Sequence, residues 1–392
     1  MTLITHACAS VVACALVAAP LLAQDASSTA SGWRFQPTVS VGEQLDDNVF
    51  LLPDAKKTRL GAGAPAGSRY AAMASASDVV TTVSAQATLR GAGLAGRTLS
   101  IVPEFEYDLY VRNPERRGGR LGVSLAQKMA RGGLLRLKGS MQPQTFFKNY
   151  LLDAIDGNND GSIDASERLY APAKQGESSA EADYTFRLRK ATTSHPLGAA
   201  LRVGAGWYSR TNNSSFASRD LHGPTASARL LMTPGSSSRI DLAYDYALLG
   251  APAMRNVAIL DESQFQRDFN GNGTTNDAAA RAFEMVDRSR SEQELSATAG
   301  NDFGRTDLEV SYAHRARTFS SSQPYDVGNN GRRDARNEFG GTLRFRLGDA
   351  LRLRASLQRG TQTLNRASAN VSTGDVADYS RTRSALVLEY RF

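Results

Sequence analysis

Along most of the chain, apolar and polar residues alternate one by one in runs of about 10–14 residues. The C-terminal run is the clearest. Ser384, Leu386, Leu388, Tyr390 and Phe392 share one parity, and Arg381, Arg383, Ala385, Val387, Glu389 and Arg391 share the other. A strand points successive side chains to opposite faces, so one face here is apolar and aromatic-ended while the other carries the charge. Leu351, Leu353, Ala355 and Leu357 alternate in the same way with Arg352, Arg354, Ser356 and Gln358. Phe339, Leu343, Phe345 and Leu347 alternate with Glu338, Thr342, Arg344 and Arg346. Residues 99–109 set Glu104, Glu106 and Asp108 against Ile101, Phe105 and Tyr107.

These runs are about twice as long as the 5–6 residues usual for a soluble strand, and they match the ~9–11 residues that cross a membrane at a tilt. The connections between them alternate as well. Short ones fall near 92–96, 131–133, 191–197, 234–238, 302–305 and 347–349, and long ones near 46–77, 149–177, 250–289, 319–336 and 364–378. Outer-membrane barrels have short turns at one end and long loops at the other, whereas a soluble sandwich has no reason to obey that rule. The pattern predicts an all-β fold: a single transmembrane antiparallel up-and-down barrel of about 14 strands (12–16 fit) over residues 33–392. The first strand is predicted near 33–45 and the last near 379–392, with 134–148 and 178–190 flanking one of the longest loops. Tyr107, Tyr246, Tyr390 and Phe392 are expected at the lipid–water boundaries.

Residues 1–23 contain no Lys, Arg, Asp or Glu, run apolar from Val11 to Leu22, and end on small Ala23 before Gln24-Asp25. They read as a cleaved signal peptide, with residues 24–32 left as a short periplasmic segment. A lipoprotein signal ending at Cys14 is the alternative. Cys8 and Cys14, the two cysteines of the chain, lie inside the signal, so disulfides are not expected to stabilise the exported protein. Mean hydropathy is −0.35, which excludes a helical membrane protein with several apolar spans. A net charge of +7, from 46 basic and 39 acidic residues, is modest for 392 residues and gives no reason to expect a nucleic-acid partner.

The ending Leu386-Val387-Leu388-Glu389-Tyr390-Arg391-Phe392 resembles the C-terminal strand of bacterial outer-membrane proteins. The segment Leu45-Asp46-Asp47-Asn48-Val49-Phe50, following the first strand, is similar to the start of β-barrel porin families. The resemblance implies a Gram-negative outer-membrane location, contact with lipid and lipopolysaccharide, and recognition of the last strand by the barrel-assembly machinery. It names no solute.

On the predicted inner face, Glu104, Glu106 and Asp108 form an acidic wall. Basic arcs comprise Arg136, Lys138, Arg187, Arg189 and Arg202 on middle strands, and Arg344, Arg346, Arg352, Arg354, Arg381 and Arg383 on the last three. Opposed charges across a watery lumen favour polar solutes, and rings of Arg bias toward anions. In the loops, Asp156, Asn158, Asp160, Ser162, Asp164 and Glu167 occupy positions 1, 3, 5, 7, 9 and 12 of an EF-hand-like calcium loop, with Gly161 at the sharp turn. An ordinary Asp/Asn/Gly surface turn is the competing reading of the same residues. Weaker versions start at Asp268, Asn270, Asn272 and at Asp326, Asn330, Asp334.

Catalysis is not expected. His195, His222 and His314 are isolated, and there is no HExxH, GxSxG or phosphate loop. The sequence points to a porin-like channel for passive passage of small polar solutes, with anions one candidate class, and with no cofactor other than candidate calcium in the 156–167 loop. Two alternatives remain open at this stage. One is a non-conducting surface barrel whose calcium-stabilised loops bind a partner or glycan. The other is an outer-membrane component of polysaccharide or lipoprotein export, which the shortness of residues 24–32 counts against.

Overall fold

The computed structural model describes residues 32–57, 60, 68–154, 168–192, 197–252, 254–255, 285–322, 329–365 and 378–392. Nine strands come first: β1 (Arg34–Asp46), β2 (Asp78–Ala92), β3 (Thr98–Tyr110), β4 (Gly118–Lys128), β5 (Leu134–Ala154), β6 (Arg168–Arg189), β7 (Gly198–Asn212), β8 (Leu221–Thr233) and β9 (Ser238–Leu249). A two-residue ribbon, β10 (Met254–Arg255) with β11 (Met285–Val286), stands apart in the next loop. Five more follow: β12 (Arg290–Asp302), β13 (Thr306–Phe319), β14 (Arg333–Arg346), β15 (Leu351–Asn365) and β16 (Tyr379–Arg391). β1–β9 and β12–β16 close into one antiparallel barrel of 14 strands in which each strand pairs with its sequence neighbours and β1 with β16.

Closure leaves no sheet edge, which hydrocarbon surroundings require of any β-structure. The seam pairs Val41 with Leu388 and Ser40 with Glu389, so the alternation of the two terminal strands is in phase. The exterior carries large exposed apolar side chains from many strands, among them Phe105, Leu121, Val123, Leu242, Leu308, Val310, Phe339, Leu343, Leu386 and Leu388. The opposite parity holds the charges. A face this apolar and this continuous cannot be left to water.

The predicted strands agree with the observed ones to within a few residues, with one informative exception. β5 and β6 run well into the segment read as a loop (149–177), forming a hairpin that rises above its neighbours. Register shifts between Gln142 and Thr145, Phe146 and Lys148, and Leu151 and Asp153 interrupt its alternation, so no clean period-two signal survives there. Tyr150, Ala173 and Phe216 form a small buried cluster that supports the hairpin, and the Arg219 guanidinium lies 3.6 Å from the Tyr150 ring centre.

Candidate functional site

The long-loop end of the barrel is partly filled by the first long connection. β1 delivers Asp46, Asp47 and Asn48 directly into it. Asp46 pairs with Arg381 of β16. Asp47 accepts from the Thr382 backbone N–H at 2.7 Å. Asn48, fully buried, donates through Nδ2 to the Leu52 and Ser380 carbonyls at 2.8 and 2.9 Å and accepts from the Leu52 N–H at 2.8 Å. One side chain therefore ties the start of the loop to its own next turn and to the last strand. Leu51 holds a left-handed backbone (φ 54°), which costs a non-glycine residue of order 1 kcal/mol and marks how firmly the turn is fixed.

Below that turn, Val49, Phe50, Leu52 and Met73 bury themselves against Phe146, with Tyr110 packed alongside. The Arg116 guanidinium lies 5.0 Å from the Phe50 ring centre and 5.3 Å from that of Tyr110, and donates to the Phe147 carbonyl at 2.8 Å. Burial pushes the Arg116 guanidinium below its ordinary value. Asn113 accepts from the Ala74 and Ser75 N–H groups and donates to Asp78. Asn149 donates to the Arg69 and Ala71 carbonyls. A short helix, α1 (Asp54–Lys57), leans on β16. Asp54 accepts from Lys57 at 2.8 Å and from Ser380, and those donors hold its carboxyl below the usual carboxylate value. The connection is thus fastened along an arc of rim from β16 through β1 to β5.

Inside the barrel, the basic arcs read from the sequence are not bare. Many of their arginines are matched by acids on the adjoining strand or the next but one. Arg344 donates to Asp307 (3.1 Å) and Glu309 (3.2 Å), and Arg239 donates to the same two carboxylates at 2.7 and 2.9 Å. Arg346 meets Asp302, Arg352 meets Glu389 and Arg383 meets Glu338. On the middle strands, Asp183 has a fully buried side chain facing Arg136, Lys138 and Arg202 at 3.9, 3.3 and 3.7 Å. Arg187 and Arg189 sit exposed at the short-turn rim, where Arg187 lies over Gly132, and so outside the charge ladders.

Of the arginines predicted on the last three strands, Arg354 alone has no ion pair among the described residues. It is exposed, and it lies within electrostatic reach of Glu106 on β3. Glu104 is exposed beside it, and Asp108 is held by the Thr82 hydroxyl at 2.6 Å. What remains of the predicted transverse field is the acidic wall with Arg354, and Arg120 of β4 stands directly opposite Glu106 beside it.

Sequence reasoning missed the acids that complete the ladders, and with them a recess of about 480 Å³ in the lumen wall between β6 and β13. Each acid was visible as a charged residue of inward parity, but its partner depends on register, which parity alone does not give. His222 stacks on Trp207 and His314 binds Asn337, both structural roles. His195 and the 156–167, 268–279 and 326–328 segments lie outside the described residues. Among the described residues, no three His, Cys, Asp or Glu side chains are grouped to hold a metal.

No family model and no curated protein matches the sequence. Among solved structures, the barrel is similar to the outer membrane channel DcaP of Acinetobacter baumannii, at 10% identity, 93% of this chain, 99% of that one and a TM-score of 0.41. It is also similar to the outer membrane protein OprD from Pseudomonas aeruginosa, at 11% identity, 94% and 95% coverage and a TM-score of 0.38. A bacterial polysaccharide outer membrane secretin matches at 8% identity, 91% and 98% coverage and a TM-score of 0.37. The fold is that of an outer-membrane β-barrel. At such scores the likeness extends to general shape alone.

Proposed function

We propose that this chain is a bacterial outer-membrane channel through which small polar solutes diffuse. The observation that carries the reading is the division of the closed 14-strand wall into an apolar outer face and a charge-lined inner face that retains open space. Barrels of eight strands fill with side chains, whereas wider ones leave room for water. The long-loop end is then extracellular and both chain ends are periplasmic.

Because most lumen arginines are neutralised in pairs, ion selectivity falls to the unpaired groups. Arg354 and Arg120 support an anion preference, opposed by Glu104 and Glu106. In planar bilayers under a salt gradient, Arg354→Gln should move the reversal potential toward cations and Glu106→Gln toward anions. Unchanged potentials in both variants would remove these residues from the selectivity argument, and an absence of conductance steps in any variant would end the channel reading.

The packing of Val49, Phe50 and Leu52 in the mouth favours a second reading, a non-conducting surface barrel whose loops bind a partner. Calcium at Asp156, Asn158, Asp160, the Ser162 carbonyl, Asp164 and Glu167 belongs to either reading as a proposal, supported by ligand spacing. Calorimetry on the wild type should show calcium uptake that an Asp156→Ala/Asp160→Ala/Glu167→Ala variant loses. Equal uptake by both proteins refutes the site.

A further inference from the structure

The recess in the lumen wall holds one ion pair, Arg229 with Asp245, that is not closed by a hydrogen bond. Its floor is made of small residues, Gly204, Thr225, Ser227 and Ala247. A Cβ at position 204 would crowd Ser227 Oγ at 2.7 Å and Glu181 Oε1 at 2.9 Å, so the space exists because glycine stands there. Around that floor, most charges are committed. Arg210 donates to Glu177, Arg315 to Glu294 at 2.6 Å, and Arg290 to Glu292 at 2.7 Å, with Arg317 in ion contact with Glu292. Glu181 accepts from Lys138 and Ser227.

Asp245 of β9 and Arg229 of β8 differ from these. Their closest approach is 3.8 Å, with no hydrogen bond between them, and neither makes a hydrogen bond to any other described residue. Their side chains are 37% and 40% exposed to the lumen. Asp245 stands directly opposite Glu294 in the β9–β12 ladder, a like-charge pairing that disfavours the empty wall. It therefore offers a carboxylate with open acceptor positions, beside a guanidinium with open donors.

Resting on the channel reading, we propose that Asp245 and Arg229 form a binding site for solutes carrying an ammonium and a carboxylate on one carbon, the α-amino acid class. Asp245 accepts from the ammonium and Arg229 donates to the carboxylate. A solute with negative charge alone faces Asp245, Glu294 and Glu181. A solute with positive charge alone faces Arg229 and Arg315. Only a solute with both charges, closely spaced, supplies hydrogen bonds to both groups at once. The recess volume falls within the ~300–1,000 Å³ range of small-molecule sites.

The test uses L-alanine with its two single-charge analogues, propionate and ethylammonium, on the full-length barrel in detergent. Saturation-transfer NMR should show saturable binding of alanine, with both analogues weaker by about ten-fold or more, the usual cost of leaving one charged group unpaired. Asp245→Asn and Arg229→Gln should each weaken alanine by a similar factor, whereas Glu115→Gln, exposed on the β3–β4 connection and outside the recess, should not. Retention of the heat-modifiable folded band confirms that each variant is a closed barrel. Equal binding of either analogue, or undiminished alanine binding in both variants, overturns the proposal. Single-channel recording separates the two readings: conductance without alanine binding defeats the site alone, and alanine binding without conductance defeats the channel alone.

Discussion

Replacing both Asn48 and Phe50 by alanine should raise the single-channel conductance by roughly two-fold or more, since conductance follows the open cross-section of the narrowest segment. Asn48 is the hub that holds the turn on Ser380 and Leu52, and Phe50 is the residue most deeply packed in the mouth cluster. Truncating a buried phenylalanine costs about 3–5 kcal/mol locally, and loss of Asn48 removes the side-chain partner of both the Leu52 carbonyl and the Leu52 N–H. Those losses fall on the loop. The β1–β16 seam keeps its own nine-pair register from Thr38↔Arg391 to Asp46↔Arg383, so the barrel should survive. Planar-bilayer recording supplies the measurement, and migration on an unheated gel confirms a folded barrel. Unchanged conductance from a folded double variant would mean that the mouth cluster does not set the narrowest point.

Neutralising Asp183 should destabilise the barrel more than neutralising any other single lumen acid. Its buried carboxylate is the counter-charge of Arg136 and Arg202 and, with Glu181, of Lys138, and breaking such a buried pairing by removing one partner costs about 3–5 kcal/mol. Partial exposure of the three cations places the expected loss near the lower end, about 3 kcal/mol. Asp183→Asn keeps the volume, so the loss reports charge rather than a cavity. Urea unfolding of the detergent-refolded protein, followed by tryptophan fluorescence, measures it, and the same change at the part-exposed Glu389 provides the contrast. Equal midpoints for the two variants would show that Asp183 has no special burden.

The strands were legible because their chemistry is repetitive. Leu386, Leu388 and Tyr390 against Ala385, Val387 and Glu389 need no tertiary information to be read as two faces. The β5–β6 extension was not legible, because its register shifts break the alternation that defines a strand from sequence. The lumen divides along the same line. Inward parity identified Arg344 and Arg383, but whether each is free depends on which acid stands beside it. Arg344 shares Asp307 and Glu309 with Arg239, a residue 105 positions away in a different hairpin. Asp245 was visible on its strand, yet its open acceptor positions are apparent only once every neighbouring charge has been assigned a partner. The Asp46-Asp47-Asn48 segment was noticed as a motif, but its partners on β16 lie some 335 residues downstream, beyond any local pattern.

That separation gives the motif a temporal meaning. Asn48 and Asp47 leave the ribosome among the earliest residues of the barrel, but the carbonyl and the N–H that receive them belong to the final strand. The turn's grip on the last strand therefore forms only when the cylinder is sealed. A growing or half-inserted sheet can hold this loop from the β1–β5 side alone, so the contacts of this one turn with β16 report whether the chain's two ends have met.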